Sequence, residues 1–439
     1  MEIKVLKFGG TSLADGSQFK KVANIVRSDI QRRYIVASAP GKRFNDDVKV
    51  TDMLYESFKL AKNNDNIDEI FQKIEDRFNM IIHELNLSFS LDNEFKKIKR
   101  EILNHGTSDY ISSRGEYLNA MILAEYLGFD FIDAAKVIFF NEDGSFDEDT
   151  TNKVLSNTLK NHEYAIIPGF YGSMPNGDIK TFSRGGSDIT GSIVASTINA
   201  SIYENWTDVS GMLMADPRIV DKPQVIDVIS YRELRELSYM GATVIHEDAI
   251  FPVRKSAIPI NIRNTNRPSD NGTMIVPSTL RKDTDKMITG VAGKTGFSSI
   301  TIEKAMMNQE LGFGRKVLEI FERHKISFQH LPTGIDTMSV IVDTPSLIDI
   351  ADDISTEIYR YVKADKIKIV HGLAMIAIVG RNLLKTKDSA ARLFTALYKA
   401  DINIQMIDQG SSELNFIVGV ADDDYPAAIK AIYDEFVRK

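Results

Sequence analysis

The sequence predicts an α/β protein with a mainly parallel sheet, followed by a second region of α+β type. In the first 280 or so residues, short apolar runs alternate with helical patterns, which is typical of a parallel sheet covered by helices. From about Asp283 the pattern changes, and a unit of helix, short strand, turn and strand occurs twice. The 439 residues exceed what one compact core usually holds, so we expect two or three domains.

The elements of the first region follow from apolar periodicity. Short apolar runs predict strands at 3–8, 34–39, 129–134, 164–170 and 201–208. Apolar residues at helical spacing predict helices at 19–26, at three places between 51 and 127, and at 187–200. In such sheets ligands lie beyond the carboxyl ends of the strands, where the loops between strands and helices gather.

The second region carries an internal repeat with an offset of about 76 residues, which indicates a duplicated unit. The paired positions are Ile320, Phe321, Ile326, Phe328, Leu331, Val340, Ile341 and Val342, matched by Ala396, Leu397, Ile402, Ile404, Ile407, Phe416, Ile417 and Val418. A linker is expected within 271–290. We therefore predict domains at 1–285, 286–365 and 366–439.

Composition excludes several classes of protein. The net charge of −8 argues against a general nucleic-acid or membrane-surface binder, since both need a basic field. The absence of cysteine excludes disulfides, thiolate zinc sites and cysteine nucleophiles. The N-terminus has no signal-peptide pattern and no run approaches 18 apolar residues, so we expect a cytoplasmic protein.

Two loops pair glycines with hydroxyl groups after a strand. In KFGGTS (7–12) the glycines let backbone N–H groups approach phosphate oxygens, and Lys7 adds a positive charge. In SRGGSDIT (183–190) the same pattern precedes a helix, and the planar guanidinium of Arg184 suits a carboxylate. Each loop alone also fits an ordinary turn, with Asp188 as a helix cap and Arg184 on the surface. Two such loops in one sheet favour a phosphate site.

Further candidates lie in TDV (207–209), ADPR (215–218) and SSRGE (112–116). The aspartates also fit turns, and Glu116 also fits a favourable position in the first turn of a helix. The seven histidines show no HxH or HExxH spacing, so no metal site is predicted. Neither a GxSxG elbow nor the kinase strings HRD and DFG occur.

The strings KFGGTS, SSRGE, SRGGSD and TDVSGMLMADPR, in this order, resemble the aspartokinases of the amino-acid kinase family. The resemblance covers nearly the whole chain and includes SASAPG, KVTDML and MGATVIH. It implies a three-layer sandwich with a mainly parallel sheet, plus two ferredoxin-like ACT units at the C-terminus. No homoserine dehydrogenase sequence follows the repeat, so a monofunctional enzyme is expected.

The resemblance implies ATP-dependent phosphorylation of the aspartate side chain, with Mg2+, as the first step towards lysine, threonine and methionine. A carboxylate is already a nucleophile at pH 7, which agrees with the lack of a general-base motif. By resemblance the catalytic positions are Lys7, Gly9, Gly10, Ser187 and Asp188. Aspartate would meet Ser38, Thr51, Glu116, Arg184 and Asp188. The nucleotide would meet Lys7, Gly10, Thr207, Asp208, Leu213, Arg218 and Thr243.

Three positions depart from the family pattern. Thr243 replaces a lysine, Leu213 replaces an aromatic residue, and Glu247 stands where proline is common. An amino-acid sensor with a degenerate kinase domain therefore stays open as an alternative. Another member of the family, such as an acetylglutamate or uridylate kinase, is a second alternative.

The paired ACT units imply feedback by lysine, and also by threonine in some relatives, and a homodimer or tetramer built through these units. The effector positions implied are Met307, Gly312, Phe313, Gly314, Thr333 and Asp336. The glycines and Asp336 also fit ordinary turns. By resemblance, a C-terminal strand within 415–439 returns to complete the first ACT unit.

Overall fold

The computed structural model describes residues 2–104, 106–183, 185–242, 245, 247–280, 286–383, 386–409 and 414–438. The strands are β1 (Lys4–Phe8), β2 (Arg32–Ala37), β3 (Asp130–Phe131), β4 (Ala165–Pro168), β5 (Tyr171–Ser173), β6 (Ile179–Thr181), β7 (Ile202–Thr207), β8 (Val228–Ser230), β9 (Ile260–Asn264), β10 (Thr273–Val276), β11 (Gly290–Glu303), β12 (Phe328–His330), β13 (Thr337–Asp343), β14 (Lys366–Val379), β15 (Met406–Asp408) and β16 (Asn415–Ala421).

The helices are α1 (Gly16–Arg27), α2 (Val50–Lys62), α3 (Asp68–Glu84), α4 (Asp92–Leu103), α5 (Ser108–Leu127), α6 (Glu148–Leu159), α7 (Gly186–Thr197), α8 (Tyr231–Tyr239), α9 (Glu247–Lys255), α10 (Phe313–Arg323), α11 (Thr344–Leu347), α12 (Ala351–Val362), α13 (Ser389–Lys399) and α14 (Tyr425–Tyr433). None of the helices in the described part of the chain is both long and apolar enough to cross a membrane.

The chain divides into two compact units. The first comprises Met1–Met212, Val225–Tyr231 and Val244–Arg281, and the second comprises Leu213–Gln224, Arg232–Thr243 and Lys282–Lys439. The chain therefore crosses between the units several times, whereas the sequence predicted consecutive domains.

An eight-stranded sheet in the order β3-β4-β2-β1-β7-β9-β10-β8 forms the centre of the first unit. Every strand pair is parallel except β9 with β10. Helices α1 to α5 pack on one face around Leu6, Phe8 and Ile35, and α7, flanked by α6 and α9, covers the other. This three-layer arrangement confirms the predicted fold.

Local differences from the prediction have simple causes. Four helices, not three, occupy residues 50–127, because the Asn- and Ser-containing stretches 63–67 and 85–91 separate apolar patterns that run together in the sequence. The predicted strand at 129–134 shortens to β3. The hairpin of β5 and β6 and helix α6 were not predicted, since their amphipathic patterns are short and weak.

A six-stranded antiparallel sheet in the order β12-β13-β11-β14-β16-β15 organises the second unit. Two ferredoxin-like halves share its long central strands. Residues 297–303 of β11 pair with β13 and with the start of β14, whereas residues 290–294 pair with 375–379 of β14. The sheet is continuous because each long strand serves both halves.

The shared strands correct the expectation that a C-terminal strand returns to complete the first ACT unit. β16 pairs with β14 and β15, and residues 425–438 are helical. The strand that completes the second half is the start of β11, upstream of the first half. Because the repeat unit as detected in the sequence begins at its helix, it did not include these shared strands.

Candidate active site

Lys7 lies near the carboxyl end of β1 and points towards α7. Successive residues of a strand face opposite sides, so Leu6 and Phe8 enter the core beside α1 to α5 while Lys7 faces the other layer. The Lys7 side chain is largely buried, and its Nζ is 2.7 Å from Oδ1 of Asp188 in the first turn of α7. The strand thus places an ammonium group opposite a carboxylate.

The two glycines after β1 serve different purposes. The Gly9 N–H donates to the carbonyl oxygen of Trp206 at 3.0 Å, which ties the loop to β7. Gly10 packs against Gly41, whose N–H donates to the Gly10 carbonyl at 2.8 Å. A Cβ on Gly10 would lie 2.9 Å from the carbonyl oxygen of Ala39, whereas one on Gly9 would have only ordinary contacts at 3.6 Å. Gly10 is therefore required for packing.

The amino end of α7 is built by close backbone approaches. Gly185 caps the helix in the left-handed region at φ 59°. A Cβ on Gly186 would lie 2.5 Å from Cδ2 of Phe170. Phe170 has a left-handed backbone with φ 80°. Its N–H donates to Thr190 Oγ1, and its carbonyl accepts from the Phe182 N–H. Asp188 does not cap the helix, because its carboxylate binds Lys7 and Asn205 instead. Arg184 lies outside the described residues.

Glu116 comes from the middle of α5, not from its first turn. The helix begins eight residues earlier, capped by Thr107, so the explanation of Glu116 by the helix dipole is wrong. Gly115 allows α5 to pack against Ala39. Burial raises the pKa of Glu116 to about 8, a shift that a hydrogen bond from the Ala39 backbone reduces only partly. Oε2 of Glu116 is buried with no hydrogen-bond partner among the described residues.

These side chains share a cavity of about 340 Å³ within the first unit. The parallel register aligns Phe8, Ala37 and Pro168, so the loops after β1, β2 and β4 meet at one edge of the sheet. Six predicted residues line the cavity: Lys7, Ser38, Thr51, Glu116, Ser187 and Asp188. Ser38 is held by its carbonyl, which accepts from Nδ2 of Asn119 at 2.7 Å. Gly9 and Gly10 are not part of the lining.

Five lining residues were not named as individual site residues: Tyr55, Phe170, Ser183, Gly185 and Gly186, of which the last three belong to the predicted SRGGSDIT loop. Tyr55 lies one helical turn after Thr51, and this i,i+4 spacing could have found it. Phe170 ends a predicted strand, and its position at the carboxyl end of β4 was a usable signal as well. Its left-handed backbone had no sequence signal, because that conformation is rare for an aromatic residue.

The predicted nucleotide-side residues are divided between the two units. Thr207 and Asp208 lie at the carboxyl end of β7 in the first unit. Leu213 and Arg218 belong to the second unit, where the guanidinium of Arg218 is exposed and 2.6 Å from Asp216. Thr243 lies outside the described residues.

In the second unit, the predicted effector residues lie on two adjoining loops and at the start of α10. The Lys304 N–H donates to the Asp336 carbonyl at 2.8 Å, and the Asn308 N–H to the Ile335 carbonyl at 3.2 Å. Met307 and the Thr333–Asp336 turn are thereby joined. Gly312 caps α10 at φ 75°, and Phe313 begins that helix as a buried residue. Gly314 passes near Met338, with 3.9 Å between an added Cβ and the methionine Cε.

Comparison with known proteins supports the same fold. The model of the amino acid kinase family matches residues 2–264, and that of an ACT domain matches 376–436. Aspartokinase 3 of Bacillus subtilis is 38% identical, covering 99% of this chain and 98% of the relative. The crystal structure of Clostridium acetobutylicum aspartate kinase, described as an allosteric enzyme, is 52% identical with a TM-score of 0.91 and covers 99% of this chain and all of that one. Escherichia coli aspartokinase III, solved with lysine and aspartate, is 25% identical with a TM-score of 0.75 over the whole of both chains.

Proposed function

Because the chain belongs to the aspartokinases of the amino acid kinase family, we propose that it transfers the γ-phosphoryl group of ATP to the side-chain carboxylate of L-aspartate, forming 4-phospho-L-aspartate. The observation that carries this proposal is the charge arrangement of the cavity. Asp188 is paired with Lys7, whereas the buried Glu116 at the same cavity forms no salt bridge among the described residues, and its Oε2 accepts no hydrogen bond from them. An amino-acid ammonium is a suitable partner for this carboxylate.

The acceptor carboxylate needs no general base, since it is ionised at neutral pH. Catalysis then consists of holding two anionic groups in line and stabilising the charge that moves during transfer. Lys7 supplies a fixed positive charge at the carboxyl edge of the sheet, and the first turn of α7 with Ser187 adds backbone N–H groups and a favourable dipole. Arg184 is proposed to bind the α-carboxylate.

We propose that Mg2+ accompanies ATP and neutralises charge on its phosphates. The described residues contain no cluster of three or more histidine, aspartate or glutamate side chains suited to a metal ion. Mg2+ is commonly held by one or two carboxylates together with substrate phosphates. Asp188 and Asp208, at the same edge of the sheet, are the carboxylates available to hold it.

We propose that the second unit binds lysine as a feedback effector and forms the contacts of a homodimer. The Escherichia coli relative was solved with lysine, and the Clostridium enzyme is described as allosteric. The proposed effector residues are Met307, Gly312, Phe313, Gly314, Thr333 and Asp336. The reaction would then start the route to lysine, threonine and methionine.

A coupled assay tests the proposed reaction. We expect aspartyl-hydroxamate to form with MgATP, hydroxylamine and L-aspartate, and no acyl phosphate with N-acetylglutamate or phosphate transfer to UMP. Turnover of either alternative acceptor at the aspartate rate would contradict the proposal. A complete lack of turnover would support the amino-acid sensor instead.

A further inference from the structure

Asn205 contacts the ion pair of Lys7 and Asp188 that lines the cavity, although its own side chain is not part of the lining. It lies on β7 directly opposite Lys7 of β1 in the parallel register, and it is 4% exposed. Its Nδ2 donates to Oδ1 of Asp188 at 2.8 Å. The same oxygen is 2.7 Å from Nζ of Lys7. One carboxylate oxygen thus accepts from a charged donor and from a neutral one.

Strand β7 also holds the backbone of Asp188. The Tyr203 hydroxyl donates to the Asp188 carbonyl oxygen at 3.2 Å, and Gly191 gives this ring room, since an added Cβ would lie 2.5 Å from the hydroxyl oxygen. β7 therefore holds α7 at two points, the main chain through Tyr203 and the carboxylate through Asn205. Within the described part of the chain, the Asp188 carboxylate contacts Lys7 and Asn205 through Oδ1.

We propose that Asn205 is a positioning residue for phosphoryl transfer, which orients the Asp188 carboxylate and thereby aims the Lys7 ammonium into the cavity. This rests on the proposed function. A neutral amide is suited to the task because it donates without competing for Lys7. Without the hydrogen bond from Asn205, the Asp188 carboxylate is free to rotate and to hold Lys7 with both oxygens. This would draw the Lys7 ammonium away from the phosphoryl group that is transferred.

The test compares kcat and the aspartate KM in two variants of Asn205. In Asn205→Leu, which has similar volume and no donor, we expect kcat to fall about tenfold while KM changes less than about twofold. Tyr34→Phe is the matched control, because it removes a buried hydroxyl that donates to the Leu159 carbonyl from the same sheet without touching Asp188. Its kcat should stay within about twofold of wild type.

Asn205→Asp separates loss of the donor from loss of packing. The groups facing this side chain are Lys7 from β1 and Asp188 from α7, and its register partner on β9 is the apolar Ile262. The new carboxylate has nearly the size of the amide, but when ionised it cannot donate to Asp188 and it competes for Lys7. We expect kcat to fall by about tenfold or more in this variant, with the aspartate KM within about twofold of wild type.

The outcomes are distinct. Wild-type kcat in folded Asn205→Leu, or a loss of the same size in Tyr34→Phe, would overturn the positioning role. If the leucine variant does not fold, Asn205→Asp decides, and wild-type kcat in that variant would overturn the role. Wild-type protein that forms no aspartyl-hydroxamate would instead contradict the proposed function, and the single buried Trp206 would report by fluorescence that this protein is folded.

Discussion

At the scale of single residues, the charged groups of the cavity differ in whether they have a partner of opposite charge among the described residues. The Lys7 ammonium has a carboxylate partner at 2.7 Å, whereas Glu116 forms no salt bridge among the described residues and accepts a hydrogen bond from the Ala39 backbone. Burying an unpaired carboxylate is costly, so the free protein favours the protonated form of Glu116. A bound ammonium reverses this preference, which couples ligand binding to release of a proton.

Glu116 makes the stability of the free protein depend on pH. Its folded pKa is about 8, against a reference value of 4.5, so its stabilising contribution is fully present below about pH 4.5 and is lost as pH rises to about 8. Glu116→Gln stays neutral, so its free energy of unfolding relative to wild type should increase from about pH 5 to pH 8. Urea denaturation without ligands measures this. A difference that is flat with pH would contradict the buried, unpaired state.

Lys7→Ala should lower kcat by about 100-fold or more, because a fixed charge at the transferred group is lost. Circular dichroism and the aspartate KM should stay close to wild type, since the lysine is not proposed to bind aspartate. Lys4→Ala is the matched control, for Lys4 lies on the same strand and pairs with Asp29 on the surface. Full activity of the Lys7 variant would remove it from the mechanism.

At the scale of elements, residues of the SSRGE string serve different purposes. Arg114 does not line the cavity. Its guanidinium lies over the rings of Tyr110, Tyr117 and Tyr171 at 4.6, 4.6 and 5.0 Å, which fixes α5 against β5. Glu116, two residues later and so on another side of the helix, then reaches the cavity. A motif read only as a ligand site thus includes a residue that positions the helix.

The adjacent glycines of KFGGTS give a matched pair of variants. Gly10→Ala should destabilise the protein by about 1–3 kcal/mol, because its Cβ would press on the backbone at Ala39 and Gly41. Gly9→Ala should unfold like wild type, since its Cβ would meet only Lys7 Nζ and the Trp206 carbonyl at 3.6 Å. Chemical denaturation compares the two. Equal stabilities would show that the packing of Gly10 is not limiting.

The sequence allowed the parallel sheet, its loops and six cavity residues to be predicted, because each depends on local pattern and on the shared edge of parallel strands. It could not place Glu116 along its helix, since the apolar pattern begins later than the helix that Thr107 caps. Nor could it find Asn205, whose role depends on register between two strands 200 residues apart. Such pairings are set by tertiary packing.

At the scale of the whole molecule, the exchange of strands makes the two ACT halves interdependent. Both halves include parts of β11 and β14, and each long strand has a left-handed glycine between its two parts, Gly296 at φ 85° and Gly372 at φ 77°. Neither half has a complete sheet without the other. We therefore expect a structural change in one ACT half to alter the other half through these shared strands.

Asp336→Asn tests whether this unit regulates the kinase. If the loops at 304–310 and 333–337 bind the lysine ammonium, removal of the charge should raise the lysine concentration for half inhibition by about tenfold, roughly the effect of one hydrogen bond to a charged group. The kcat without lysine should not change, because Asp336 lies in the second unit and the catalytic cavity in the first.

The matched control is Asp349→Asn, which removes one carboxylate at an exposed position of the same unit. This variant should be inhibited by lysine like wild type. Inhibition curves at fixed aspartate and ATP, repeated with threonine, give the comparison. If both variants respond to lysine like wild type, the effector lies elsewhere in the second unit. If wild type itself is insensitive to lysine and threonine, the proposed feedback is wrong while the kinase assignment stands, because the two are measured independently.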